Sequence, residues 1–469
     1  MNNIGENIKE NGLAYYIFEY ENEFYLYNYG KGFIVKIQEN IYNLILDIQT
    51  KKTNNKEAIV SLIKENLLSW GDNRAYDARR SDIAYLSFAP VYDCNLRCTY
   101  CFAGHGTQYK GKKKNFSEDT LISTLDYFFY KRFPYMKQYR IDFVSGGEPL
   151  MGIEIIKKTI DYINTFVERN NKQVSIWLCT NGCLLTDEIC EYLDKNNVQI
   201  GISIDGEKSI HDKNRIDNYG NGTYDKIIKN VDEILNNDFL TKKFKNIWGL
   251  CTATNENCDF LKILYNFQKI GIKNVQIRLV RSKKDYNIEC ICNEYLKLHN
   301  KLYEDFCQGK FDYFFMILNE NDQYGKVLKR IILDELLVKR CNAGINKITI
   351  CPDGTIYPCD SLVGISKYCM GNINEQEMQD SCLKNIDVFK HQVCSNCNAK
   401  YLCGGDCYYN SFINKGTEEK IDEKFCVIQK YIIESCIVLK YKMQLYNEIN
   451  YEKLRKRVEY ESEYRKKWG

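Results

Sequence analysis

The sequence predicts an α/β protein: a βα-repeat domain, a small winged-helix-like βββαα module ahead of it, and a cysteine-rich domain behind it. Three observations carry that expectation. Strand and helix patterns alternate six times across residues 84–280, three short strands and two helical patterns occupy residues 1–70, and eleven of the 22 cysteines fall within 341–440. At 469 residues the chain is too long for one ordinary domain, so two or three are expected.

The N-terminal strands are expected at Ala14–Tyr20, Glu23–Tyr27 and Phe33–Ile37, with turn signals at Glu21-Asn22 and Gly30-Lys31-Gly32. Helical patterns follow at Glu39–Ile48 and Lys56–Leu68, and the polar stretch Gly71–Asp82 closes the module. In the repeat domain, strands are expected at Ala84–Ala89, Tyr139–Ser145, Val174–Cys179, Val198–Ile204, Ile247–Thr252 and Asn274–Leu279. Helices are expected between them at Glu118–Tyr130, Ile153–Arg169, Asp187–Lys195, Tyr224–Leu235 and Cys258–Ile270. Such alternation implies a parallel sheet, open or curled toward a barrel, with its chemistry at the C-terminal strand ends. Residues 281–340 bridge to the cysteine-rich domain at 341–440, whose weak periodicity suggests organisation around ligands rather than a large apolar core. The final segment, 441–469, is charge-dense with both signs mixed and reads as a solvated helix.

Composition excludes several classes of function. The 65 basic and 62 acidic residues nearly balance, and residues 1–70 hold seven lysines against nine acidic residues, so no nucleic-acid partner is expected. The early residues include Glu6 and Glu10, unlike a secretory signal. No apolar run is long enough to span a bilayer, so neither a membrane partner nor a location outside the cytoplasm is expected. In a reducing cytoplasm, 22 cysteines point to metal or cluster ligation rather than disulfides. With only four histidines, all-thiolate sites are favoured.

Just after the first repeat strand stands Cys94-Asn-Leu-Arg-Cys98-Thr-Tyr-Cys101. Three thiolates at this spacing can hold three corners of a [4Fe–4S] cluster and leave one iron open. A zinc site would want a fourth ligand, which His105 could supply. The next strand ends in Ser145-Gly146-Gly147-Glu148-Pro149, the third in Thr180-Asn181-Gly182, and the fourth in Ser203-Ile-Asp205-Gly206, followed by Arg215. From Ala84 to Leu279 these motifs resemble the radical S-adenosylmethionine (SAM) superfamily, which implies a partial (β/α)6 barrel. The resemblance implies that Cys94, Cys98 and Cys101 bind the cluster, with Tyr100 beside it. Gly146, Gly147 and Glu148 would meet the methionine amino group of S-adenosylmethionine, Ser203 its ribose and Arg215 its carboxylate. The implied chemistry is reductive cleavage of the sulfonium to a 5′-deoxyadenosyl radical, which abstracts hydrogen from an unactivated carbon.

The later cysteines read Cys394-x2-Cys397-x5-Cys403-x3-Cys407, then Cys426, with Cys341 and Gly354-x4-Cys359 upstream. This pattern resembles the SPASM extension of radical SAM enzymes, which implies two auxiliary clusters and three [4Fe–4S] clusters in all. Cys341, Cys359 and Cys407 would hold the first, and Cys394, Cys397, Cys403 and Cys426 the second. Cys351 is either a fourth ligand of the first or a buried strand residue. Asp360 is either a turn carboxylate or, as in enzymes resembling the anaerobic sulfatase-maturing class, a base toward the target side chain.

The βββαα module resembles the leader-recognition element of maturases that act on ribosomally made peptides, where a leader adds as a strand to a sheet edge. A winged-helix DNA binder and a structural cap are the competing readings. Cys101-Phe-Ala-Gly-His-Gly further resembles thioether-forming (sactipeptide and ranthipeptide) maturases. The resemblances together imply an enzyme that crosslinks a cysteine sulfur to carbon in a precursor peptide whose leader is bound by residues 1–70. No flavin or nicotinamide fingerprint is present, so an external electron donor is expected. The alternatives are formylglycine formation on a sulfatase, carbon–carbon crosslinking and, from another class, a zinc-stabilised binding regulator.

Overall fold

Glu21 and Asn22 both take positive φ, 51° and 62°, forming the two-residue turn whose twist suits a tight hairpin. They join β1 (Tyr16–Tyr20) to β2 (Glu23–Asn28), and β3 (Phe33–Ile37) completes a three-stranded antiparallel sheet with β2 in the middle. Alternation along β1 divides the module's contacts. Ile17, with Leu26 of β2, packs under Ile45 and Leu62 of helices α1 (Glu39–Gln49) and α2 (Lys56–Lys64). Tyr16, Phe18 and Tyr20 face the other way, into the main core. The expected βββαα order is therefore present. The computed structural model describes residues 14–50, 56–65, 67–69, 82–111, 113–144, 146–281, 286–375 and 379–468. Glu6, Glu10, Ser145 and most of the polar stretch expected at 71–82 lie outside the described residues.

The second sheet has eight strands in the order β11-β10-β4-β5-β6-β7-β8-β9. Strands β4 (Ile83–Phe88), β5 (Gln138–Phe143), β6 (Gln173–Thr180), β7 (Gln199–Ser203), β8 (Trp248–Ala253) and β9 (Asn274–Leu279) pair in parallel throughout, matching the six expected repeats. Three of the helices between them start at side-chain caps. Ser117, Thr186 and Asp259 accept from the backbone N–H of Thr120, Ile189 and Lys262. Asp259 is why the helix expected from Cys258 begins at Phe260. The helix expected at Glu118–Tyr130 is α-helical to Asp126 and then passes into a π turn over Tyr127–Arg132, which buries both Phe128 and Phe129.

The cysteine-rich domain adds two strands that sequence reading did not find. β10 (Lys347–Ile350) pairs in parallel with β4, and β11 (Ile356–Tyr357) runs antiparallel to β10. The cysteine-rich segment is thus continuous with the sheet that carries the Cys94–Cys101 loop. Helix Glu423–Tyr446 runs through the expected boundary at 440 and buries Ile428, Ile432, Ile433 and Cys436–Leu439. Weak periodicity there reflects a helix buried on most sides, not the lack of an apolar core. Tyr16 donates to Glu434 Oε1 at 2.5 Å and Tyr27 to Asp334 Oδ1 at 3.0 Å, fastening the N-terminal module to this helical layer. The last helix, Glu448–Trp468, is not solvated all round, because Tyr451, Leu454 and Val458 line one buried face. Among the described residues no helix is long and apolar enough to cross a membrane.

Candidate active site

The loop leaving β4 carries Cys94, Cys98 and Cys101, each partly exposed and free. Backbone N–H groups already point at two of the sulfurs, Leu96 to Cys94 Sγ (3.4 Å) and His105 to Cys101 Sγ (3.3 Å). Such donors suit thiolate ligands. Burial pushes the Cys94 thiol up to about 12, with Glu148, Cys98 and Cys101 adding to the rise. Three thiols that repel one another when ionised fit a polycationic iron–sulfur centre, which would bind them as thiolates. The His105 ring is engaged elsewhere, with Nε2 3.0 Å from the Cys98 carbonyl oxygen. Among the described residues, no three His, Cys, Asp or Glu side chains gather around one ion-sized point.

The Gly-Gly-Glu turn after β5 is glycine for a packing reason. A Cβ on Gly147 would lie 1.9 Å from the Asp93 carbonyl oxygen, and Gly146 sits at φ +86° against Ala89 and Tyr92. Glu148 N–H donates to that Asp93 oxygen at 2.8 Å, so the turn lies directly on the chain entering Cys94. The Glu148 carboxylate, 2% exposed, accepts from Thr180 Oγ1 (2.6 Å), Leu150 N (3.1 Å) and Asn181 N (2.8 Å). Burial raises its pKa despite these three donors. The expected ammonium contact therefore meets a carboxylate already engaged in tying β5 to β6.

Ser203 ends β7, half-buried. Two residues on, fully buried Asp205 gathers the other expected cofactor residues. Arg215 Nε donates to Asp205 Oδ2 at 3.0 Å, the Tyr100 hydroxyl donates to the same oxygen, and Thr252 N donates to Oδ1 at 3.1 Å. The Arg215 guanidinium also lies over the Tyr100 ring, 5.5 Å from its centroid. Asp205 stands inside a motif read from sequence, but a strand-end Asp-Gly looks like turn chemistry, and nothing local marks it as a hub.

The later cysteines fall into two neighbourhoods. Cys341 and Cys359 both feel Cys407, and all three thiols, with Asp360, hold the Arg281 guanidinium in its charged form. Burial raises the thiols of Cys394, Cys403 and Cys426, and Cys397 adds to the rise in all three. The resemblance to the SPASM extension assigns the same cysteines to its two auxiliary clusters. Cys351 has a core residue's surroundings: it is fully buried among Tyr92, Tyr109 and Tyr357, with the Tyr92 hydroxyl 3.6 Å from its sulfur.

Lys347 stands beside the first set instead. Asp360, Cys359 and Cys341 raise its pKa against the effect of burial, and its ammonium is 3.6 Å from Asp360 Oδ1. Asp360 also accepts from Cys359 Sγ at 3.4 Å. Gln108 links this region to the Cys94–Cys101 loop, donating to the carbonyls of Ser361 (2.8 Å) and Asp360 (3.3 Å). Sequence reading missed Lys347, Arg281 and Gln108, because each acts through distant parts of the chain.

Residues 89–264 match the Radical SAM superfamily. The cysteine-type anaerobic sulfatase-maturating enzyme of Clostridium novyi (strain NT) is 29% identical over 370 residues, 74% of this chain and 92% of that protein. The radical SAM cyclopropyl synthase TigE of Paramaledivibacter caminithermalis is 26% identical over 365 residues, 73% of this chain and 72% of that one. Among solved structures, native anSMEcpe with bound AdoMet shares the fold, with a TM-score of 0.61 at 23% identity, covering 78% of this chain and 100% of that chain.

Proposed function

We propose that the chain, whose residues 89–264 match the Radical SAM superfamily, is a radical SAM enzyme that modifies a peptide, forming thioether crosslinks in a precursor whose leader is held by the N-terminal module. The observation that carries this reading is the β1–β2–β3 sheet, in which β3 is an edge strand beside α1 and α2. An edge strand among the described residues, with a neighbouring helix, suits an added peptide strand. Cys94, Cys98 and Cys101 would hold the SAM-binding cluster. Cys341, Cys359 and Cys407 would hold one auxiliary cluster, and Cys394, Cys397, Cys403 and Cys426 another. Bound there, these groups supply one-electron chemistry and hydrogen abstraction that no side chain can. The chain's own residues orient it: Asp205 aims Arg215 and Tyr100, Glu148 fixes the strand ends, and Lys347 and Arg281 place positive charge beside the first auxiliary set.

Formylglycine formation is the second reading. It draws on the sulfatase-maturating relatives and on Asp360 beside Cys359. Reconstituted enzyme, reductant and S-adenosylmethionine, incubated with a cysteine-containing precursor bearing its leader, separate the two by mass spectrometry. A thioether keeps the sulfur, removes two hydrogens and abolishes iodoacetamide labelling. A formylglycine product loses the sulfur and reacts with hydrazides. An unchanged precursor, with leader binding verified, counts against both.

A further inference from the structure

A cavity of ≈ 760 Å³ lies against the parallel sheet toward its N-terminal strand ends, away from the Cys94–Cys101 loop. The strands contribute Gln138, Arg140, Trp177, Gln199, Trp248 and Gln276, and the far wall holds Lys326, Arg330, Arg340, Cys341 and Lys347. Several cations here have partners: Arg140 pairs with Asp142 at 2.6 Å, Lys329 with Glu320, and Lys347 with Asp360. Lys326 and Arg330 do not. They are four residues apart on helix Gly325–Leu333, where like charges repel, and neither has an ion pair among the described residues.

Arg330 is only 8% exposed and lines the cavity; its Nε donates to the Lys326 carbonyl at 3.1 Å. Burial, together with Arg340, Arg330, Arg278 and Arg281, pushes the Lys326 ammonium well below its usual range. Burial and Arg340 lower the Arg330 pKa although Glu320 and Glu335 act against them from beyond ion-pair distance, and a bound anion would offset the remaining cost of the buried charge. Gln276, 6% exposed, likewise lines the cavity with no hydrogen-bond partner among the described residues. A carboxamide both donates and accepts, as a peptide backbone does, whereas a phosphate at neutral pH serves mainly as an acceptor.

We propose that this cavity binds an acidic peptide segment, with its carboxylates on Lys326 and Arg330 and its backbone on Gln276 and Gln199. The inference rests on the peptide-modifying reading and adds the charge of the substrate. Because Cys341 forms part of the wall, a bound segment lies against the first auxiliary set.

The test titrates the reconstituted protein, without S-adenosylmethionine, with the blocked peptide Ac-Glu-Glu-Gly-Glu-Glu-NH2, its glutamine counterpart and pyrophosphate, by calorimetry and tryptophan fluorescence. The acidic peptide is expected to bind about tenfold tighter than either competitor. K326Q/R330Q should weaken it by about tenfold without lowering the unfolding midpoint, and Q276L should weaken it while leaving the charge intact. Equal binding of the glutamine peptide, tighter pyrophosphate binding, or unchanged affinity in both variants overturns the proposal. An enzyme that crosslinks its precursor yet ignores the acidic peptide overturns this inference alone. One that binds the acidic peptide but leaves precursors unmodified overturns only the functional reading.

Discussion

Arg215 donates through Nε to Asp205 Oδ2 at 3.0 Å, with the arginine side chain 9% exposed and the carboxylate 0%. This pair sits beside the cluster loop because Tyr100, one residue before Cys101, shares the same oxygen. Replacing Asp205 by Asn leaves Arg215 charged and buried without its counter-ion. D205N is therefore expected to destabilise the protein by about 3 kcal/mol and to weaken S-adenosylmethionine binding. Iron content should stay at the wild-type level, since no cluster cysteine changes. Calorimetric affinity, unfolding midpoint and iron assay on one preparation check all three.

Cys407 is the sulfur common to the surroundings of Cys341 and Cys359. C407A is expected to lose about four irons per chain while C351A loses none, because Cys351 sits in an aromatic core. Equal iron loss in the two variants would make Cys351 a ligand.

Gln108 bridges the cluster loop to the Asp360–Leu362 turn through two carbonyls. Q108A should leave S-adenosylmethionine binding intact but let cofactor cleavage run ahead of peptide modification. The ratio of 5′-deoxyadenosine to modified peptide should rise about tenfold, as expected when a positioning contact near the target is lost. An unchanged ratio would reduce Gln108 to a packing residue.

Glu434 has its pKa raised to about 7, chiefly by burial, with the Tyr16 hydroxyl partly opposing the rise. Its folded-state pKa thus lies above the unfolded value. As pH climbs from about 4.5 to 7 the unfolded chain ionises this carboxyl first, so stability falls over that window and levels off above it. E434Q, which keeps an acceptor for Tyr16, should raise the urea midpoint at pH 8 and leave it unchanged near pH 4. A gain confined to pH 4 would reverse the sign and contradict this account.

Much of the fold was legible because its elements carry local signals. The Asp187–Lys195 helix has a Thr cap, and Glu21-Asn22 forms a turn that needs no distant partner. The two cysteine neighbourhoods were expected from a resemblance to the SPASM pattern, whose residues are written along the chain. β10 was not. Lys347–Ile350 is four residues long and becomes a strand only by pairing with β4, more than 250 residues away in sequence. Lys326, Arg330 and Gln276 share that difficulty, because their burial follows from where the helix and sheet meet rather than from a motif. Glu148 shows a subtler limit: its motif is readable, but two of the three donors on its carboxylate, Thr180 and Asn181, come from the folded end of β6.

The most direct test of the central claim is anaerobic iron and sulfide quantitation of reconstituted protein beside a C94A/C98A/C101A variant. One SAM-binding and two auxiliary four-iron clusters predict about twelve irons falling to about eight. Several zincs and little iron in both proteins would contradict the account and leave a zinc-folded binding protein in place of the enzyme.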